Sequence, residues 1–95
     1  MTFEIGKLTA SRSVANLMQD DPRFCSFLIG AFARYRRCDW GEMTAHDKAM
    51  NDAAVKDGND RIFAAYEHPQ HPDWRLRIIT ESDHSYTTIL FPDEY

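Results

Sequence analysis

Ninety-five residues with 43% apolar and 13% aromatic side chains match one globular domain; a chain this long hides only about two-thirds of its unfolded surface and so builds at most one modest core. The longest nearly uncharged run, Phe24 to Ala33, is too short to cross a hydrocarbon layer of ~30 Å, which takes ~20 apolar residues. A net charge of −4 and a pI near 5.4 speak against a domain that binds nucleic acid directly, since such domains are strongly basic.

The opening Met-Thr-Phe-Glu-Ile-Gly-Lys has no basic start followed by an apolar run, so no secretory signal is expected and the cytoplasm is the default address. In that reducing compartment Cys25 and Cys38 read as free thiols, Cys25 inside an apolar run and Cys38 more exposed at a helix end.

In chain order, Phe3 to Leu8 alternates apolar and polar residues and predicts a short strand or extended arm. Ser11 caps a short helix from Ser13 to Gln19. Asp21 followed by Pro22 opens a second helix that runs to about Cys38, because Asp accepts from exposed amides and Pro is pre-set for the first helical position. Phe24, Phe27, Leu28, Ala31, Phe32 and Tyr35 recur at the spacing of one buried face. Arg34, Arg36 and Arg37 gather in its last turn. There they either complement the helix dipole, worth ~0.3–1 kcal/mol each, or bind an anion.

Thr44 and Asp47 resemble a capping box, and Gly58 suits the left-handed residue that ends the helix they open. Its inner face is read as Ala49, Met50 and Ala53. The period then changes to two: Arg61 to Glu67, Trp74 to Glu81 and Tyr86 to Phe91 predict three strands. Trp74, Leu76, Ile78 and Thr80 face the helices, and Arg75, Arg77 and Glu81 face away. His68 to Asp73 and Ser82 to Ser85 supply the loops. The expected fold is α+β, one domain over residues 1–95, with two to three N-terminal helices packed on a three-stranded antiparallel β-meander.

Chemistry is sparse. His68 and His71 form the closest pair of metal-ligating residues, but no second cluster such as Cys-x-x-Cys accompanies them, so no metal or cofactor is expected. Asp83, His84 and Ser85 hold the residue types of a nucleophilic relay, yet consecutive turn residues point in different directions. No phosphate-cradling glycine loop or dinucleotide fingerprint occurs. Enzymatic activity is not expected.

Charge is unevenly spread. Residues 1–38 carry six bases against three acids, and residues 39–60 six acids against two lysines. That layout can steer a charged partner. Within the acidic segment Glu42, Asp47, Asp52 and Asp57 recur every five residues, flanked by Asp39 and Asp60. Five residues advance a helix by ~7.5 Å but turn it by ~140°, so these acids spiral instead of forming one stripe. Matching a run of DNA phosphates would need other carboxylates, among them Glu81, Asp83, Asp93 and Glu94. The bland alternative is a solvated acidic face. The rings of Trp40, Trp74 and Tyr95 either anchor an interface or fill the core.

The segments Asp39-Trp-Gly-Glu, Arg61-Ile-Phe-Ala-Ala-Tyr and Ile78 through Tyr95 resemble a family of small proteins carried on plasmids, prophages and integrative elements. The chain also looks similar to anti-CRISPR proteins that act on a type I surveillance complex. The resemblance implies a non-enzymatic inhibitor in the bacterial host cytoplasm. It would bind a DNA-binding subunit of that complex and block target DNA by steric means or acidic mimicry, since such complexes hold nucleic acid in positively charged channels. On charge, Asp39, Glu42, Asp47, Asp52, Asp57, Asp60, Glu81 and Asp83 are the candidate partner contacts. The competing expectation is a mobile-element interaction or structural protein, a monomer or weak homodimer that associates through a sheet edge.

Overall fold

A computed structural model describes residues 2–94. The element order is β1 (Lys7–Ala10), α1 (Arg12–Asp20), α2 (Pro22–Arg36), α3 (Ala45–Asp57), β2 (Ile62–His68), β3 (His71–Thr80) and β4 (Tyr86–Leu90), closed by a 3-10 turn at Pro92–Glu94. The α+β class agrees with the sequence reading. The sheet differs from the expected three-stranded antiparallel meander: it is four-stranded and mixed, in the order β1-β4-β3-β2, with β1 parallel to β4.

The N-terminal strand begins at Lys7 and not at Phe3, because Gly6 takes a φ of 62° and breaks the extension. The chain before that break turns inward. Phe3 packs its ring 5.4 Å from that of Tyr35 and 5.8 Å from that of Trp40. Beyond the break, Lys7 N donates to Ser85 O at 3.0 Å, and the Thr9 and Thr88 hydroxyls meet at 3.1 Å.

The helices start where their caps put them. Ser11, Asp21 and Thr44 side chains accept from backbone amides in the first turns of α1, α2 and α3, each cap worth ~1 kcal/mol. Gly58 ends α3 in the left-handed conformation, at φ 75°. The second helix stops at Arg36, short of the expected Cys38, for a definite reason. Cys38 itself adopts φ 66°, its amide donates to Tyr35 O at 3.0 Å, and the Asp39 amide donates to Arg34 O at 2.9 Å. These two bonds form a Schellman turn. Both cysteines are free and both half-buried, so Cys38 is no more exposed in class than Cys25.

The α2 face named above is the core face. Phe24, Leu28 and Tyr35 are buried against Trp74, Leu76 and Ile78 of the sheet, and each such fully buried side chain contributes about 1.5–3 kcal/mol. The third helix is rotated from its expected phase. Asn51 and Ala54 are buried and Val55 is half-buried, whereas Ala49, Met50 and Ala53 are exposed. A polar residue sets that phase: Asn51 reaches the backbone of Phe63 on β2. The expected loop from His68 to Asp73 is also shorter, since β3 starts at His71 after a register shift at Glu67/His68. The His71 ring lies 3.9 Å from Trp74 and nearly parallel to it.

Candidate partner-binding surface

Three of the eight candidate acids bind other elements of the chain, and a fourth, Asp83, bonds only within its own turn. The turn after α2 swings Asp39 back onto Arg34, whose Nε and Nη2 donate to its two oxygens at 2.8 and 3.2 Å. Tyr66 Oη donates to the Asp39 carbonyl at 2.6 Å, and the Arg34 guanidinium lies over the Tyr66 ring. The Arg34 hydrogen bonds hold the Asp39 carboxyl below its usual range, burial opposing them. Glu42 Oε2 accepts from the Glu67 amide at 3.0 Å, and Asp52 Oδ1 accepts from Trp40 Nε1 at 2.9 Å. Arg34 is thereby taken into the fold, leaving Arg36 and Arg37 as the exposed bases of that turn.

These internal acids sit where the 39–43 segment crosses the outer edge of β2. Gly41 bridges Ala65 and the Glu42 amide donates to Ala65 O at 2.8 Å. Gly41, at φ 72°, is required there, because a Cβ would stand 2.2 Å from Ala65 O.

The other five acids lie on α3, on its connection to β2 and on the β3–β4 turn. Register pairs Ile62 with Thr80 and Thr80 with Thr87, so Asp60 enters β2 beside the β3–β4 turn that carries Glu81 and Asp83. Asp83 Oδ1 accepts from the Ser85 amide at 3.0 Å, and Ser85, through its side chain first and this amide second, draws the Asp83 carboxyl below the usual range. Asp57 lies at the end of α3, at the same approach to β2. Asp47 and Asp60 both line a groove of about 410 Å³ between α3 and β2, whose apolar lining is Met43, Met50 and Phe63. Asn51 also lines it, with its amide committed to Phe63.

The groove pairs acid with exposed apolar surface. Met50 is 57% exposed, one of few large apolar side chains so open to solvent. At about 100° per residue, Asp57 projects within about 20° of Met50, and Asp47 within about 60°. Lys48 and Lys56 point more than about 100° away from Met50. Two of the three acids of the helix, Asp47 and Asp57, therefore project on the Met50 side, while Asp52 and both lysines project away from it. Reading Met50 as an inner-face residue hid this groove. The signal that reveals it is the trio Asn51, Ala54 and Val55, an equally valid i, i+3, i+4 set with a polar member.

Two other arrangements carry less chemistry. The Asp83 carboxylate is engaged by the Ser85 backbone and the His84 ring stands edge-on to Phe3, 6.2 Å between centroids, so the three neighbours form no aligned relay. His68 Nδ1 accepts from the Gln70 amide at 3.1 Å. Among the described residues no cluster of three or more His, Cys, Asp or Glu is placed to hold a metal, and no helix is long and apolar enough to cross a membrane. Trp40 and Trp74 are buried; Tyr95, the third ring considered as an anchor, lies outside the described residues. No protein-family model, curated protein or solved structure matches the chain.

Proposed function

We propose that this chain is a non-enzymatic inhibitor encoded by a mobile genetic element, which binds a DNA-binding subunit of a type I CRISPR surveillance complex and keeps target DNA from its basic channel. The observation that carries the reading is the partition of the acids. Asp39, Glu42 and Asp52 hold the fold together, while Asp57, Asp60, Glu81 and Asp83 lie at the α3–β2 connection and the turn beside it, and Asp47, from the first turn of α3, shares a groove with Asp60. Carboxylates that bind no other element of the chain offer a positively charged surface what phosphates offer it, and such attraction steers encounter and weakens with salt.

The test is DNA binding by a purified type I surveillance complex, with and without the protein, at two salt concentrations. Loss of target binding that added salt relieves is the expected result. Unaltered DNA binding and cleavage across several subtypes of the complex refutes the proposal.

One observation favours the self-associating alternative. The β2 edge is covered by Asn51, Gly41 and Glu42, but β1 is the other edge of the sheet and carries Leu8, 44% exposed. Sedimentation at low and high protein concentration separates the two readings, since a strand-edge dimer dissociates on dilution and responds little to salt.

A further inference from the structure

We propose that the groove between α3 and β2 is a docking site for a partner protein segment that presents an apolar side chain between lysines or arginines. The inference deepens the inhibitor reading and rests on it for the basic character of the partner.

The groove has the chemistry such a segment needs. Its apolar wall is Met43, Met50 and Phe63, and methionine is the side chain that adapts best to a varied apolar guest. At about 410 Å³ it falls within the ~300–1,000 Å³ range of ligand pockets, room for a leucine or phenylalanine side chain and its neighbours. The buried polar side chain in the lining, Asn51, spends both ends of its amide on Phe63, so it makes no demand on a guest for hydrogen bonds.

Charge selects the flanks. Asp47 and Asp60 line the groove and Asp57 projects on its side, against two bases, Arg61 in the lining and Arg77, whose guanidinium lies 5.5 Å from the centre of the Phe63 ring; the two lysines of α3 point elsewhere. Cations beside the guest side chain would lie over these carboxylates, while an acidic or purely apolar segment would leave them desolvated and unpaired. A nucleic-acid strand is disfavoured by the same acids. The expected mode is a helix or turn laying its apolar positions into a groove with basic residues at the rim.

The probe is a short amphipathic peptide with leucine at every third or fourth position and lysine between, titrated into the full chain labelled at its methionine methyls. Two control peptides replace the leucines by serine or the lysines by glutamate. The expected result is that the Met43 and Met50 methyls shift with the Leu/Lys peptide, the Met18 methyl on α1 stays put, and both controls bind at least tenfold more weakly. Met50→Glu, at an exposed position, is expected to melt like the parent chain and to weaken the Leu/Lys peptide at least tenfold. Equal shifts with the Ser/Lys control reduce the site to diffuse charge and overturn the inference, as does a response confined to Met18 or absent altogether. The two proposals fail separately. Inhibition of DNA loading that survives Met50→Glu removes the groove and keeps the inhibitor; specific peptide binding without any effect on the surveillance complex does the reverse.

Discussion

Asn51 stands beside Phe63 as a neighbouring strand would: its Nδ2 donates to the Phe63 carbonyl at 2.7 Å and its Oδ1 accepts from the Phe63 amide at 3.2 Å. One side chain thereby closes the outward-facing backbone of an edge strand and fixes the rotation of α3. Asn51→Ala leaves both backbone groups without their protein partner, a loss of about 1–3 kcal/mol, and uncovers an edge competent for intermolecular pairing. Urea unfolding is expected to show the lower midpoint, and sedimentation a mass that grows with concentration. An unchanged midpoint means that water replaces the amide fully.

A line of hydroxyls ties the N-terminal arm to α2. Thr87 Oγ1 donates to the Ile5 carbonyl at 2.7 Å, Thr87 and Thr80 hydroxyls meet at 2.7 Å, and Thr80 meets Tyr35 Oη at 2.7 Å. Each hydroxyl owns one proton, so the direction is forced: Thr80 donates to Thr87, and Tyr35 donates to Thr80. Burial raises the Tyr35 pKa above the ordinary phenol value and keeps that proton in place. Thr80→Val retains the shape and breaks the line in its middle, with an expected cost of about 1–3 kcal/mol for the polar groups left buried. Tyr35→Phe combined with Thr80→Val is expected to cost less than the two single changes summed, which equilibrium denaturation of all three variants measures.

The Arg34–Asp39 pair gives a pH dependence of known sign. Asp39 is held below its usual range, chiefly by the Arg34 hydrogen bonds, so the folded chain releases this proton more readily than the unfolded one. Its contribution is complete above the unfolded value of about 3.9 and is lost as pH falls through the lower folded value. Side-chain exposures of 35% and 42% admit solvent screening and limit the pair to about 0.2–1 kcal/mol. Asp39→Asn is expected to lose that much at neutral pH and to converge with the parent chain at a pH low enough to protonate Asp39 in the fold. A gap of constant size at both pH values assigns the loss to the Gly41 contact instead.

The partition of acids separates stability from binding. Asp52→Ala strands the Trp40 indole N–H and is expected to cost about 1 kcal/mol in a denaturation curve while leaving inhibition intact once folding is matched. Asp57→Asn with Asp60→Asn is expected to do the opposite, unfolding like the parent but losing salt-sensitive inhibition. Equal inhibition by both variants removes these two carboxylates from the interface.

Caps and periodicity made most elements legible in advance. Ser11, Asp21-Pro22, Thr44 and Gly58 each mark a helix end by local chemistry, and the α2 stripe from Phe24 to Tyr35 has a single apolar phase. The α3 helix has no such stripe; alanines surround it, and the choice between Met50 and Asn51 as the inward residue turns on a backbone partner twelve positions away. Gly6 and Cys38 misled for a related reason, since a single positive φ decides where an extended or helical run stops. The pairing of Lys7 with Tyr86 links segments far apart in the chain and leaves no local mark in either. At the candidate surface the acids were legible as a composition, but which of them point outward is fixed by the Schellman turn and the β2 register.

That parallel pairing also dictates when the molecule can be completed during translation. Lys7 to Ala10 are made well before their neighbours, Tyr86 to Ile89, so the first strand stays unpaired until those residues have followed. Phe24, Leu28 and Tyr35 likewise emerge before the strands that bury them. Completion of the sheet is thus governed by distant contacts and slowed accordingly. A premature stop before β4 would leave β1 and β3 without the strand that lies between them, and their open edges prone to aggregation.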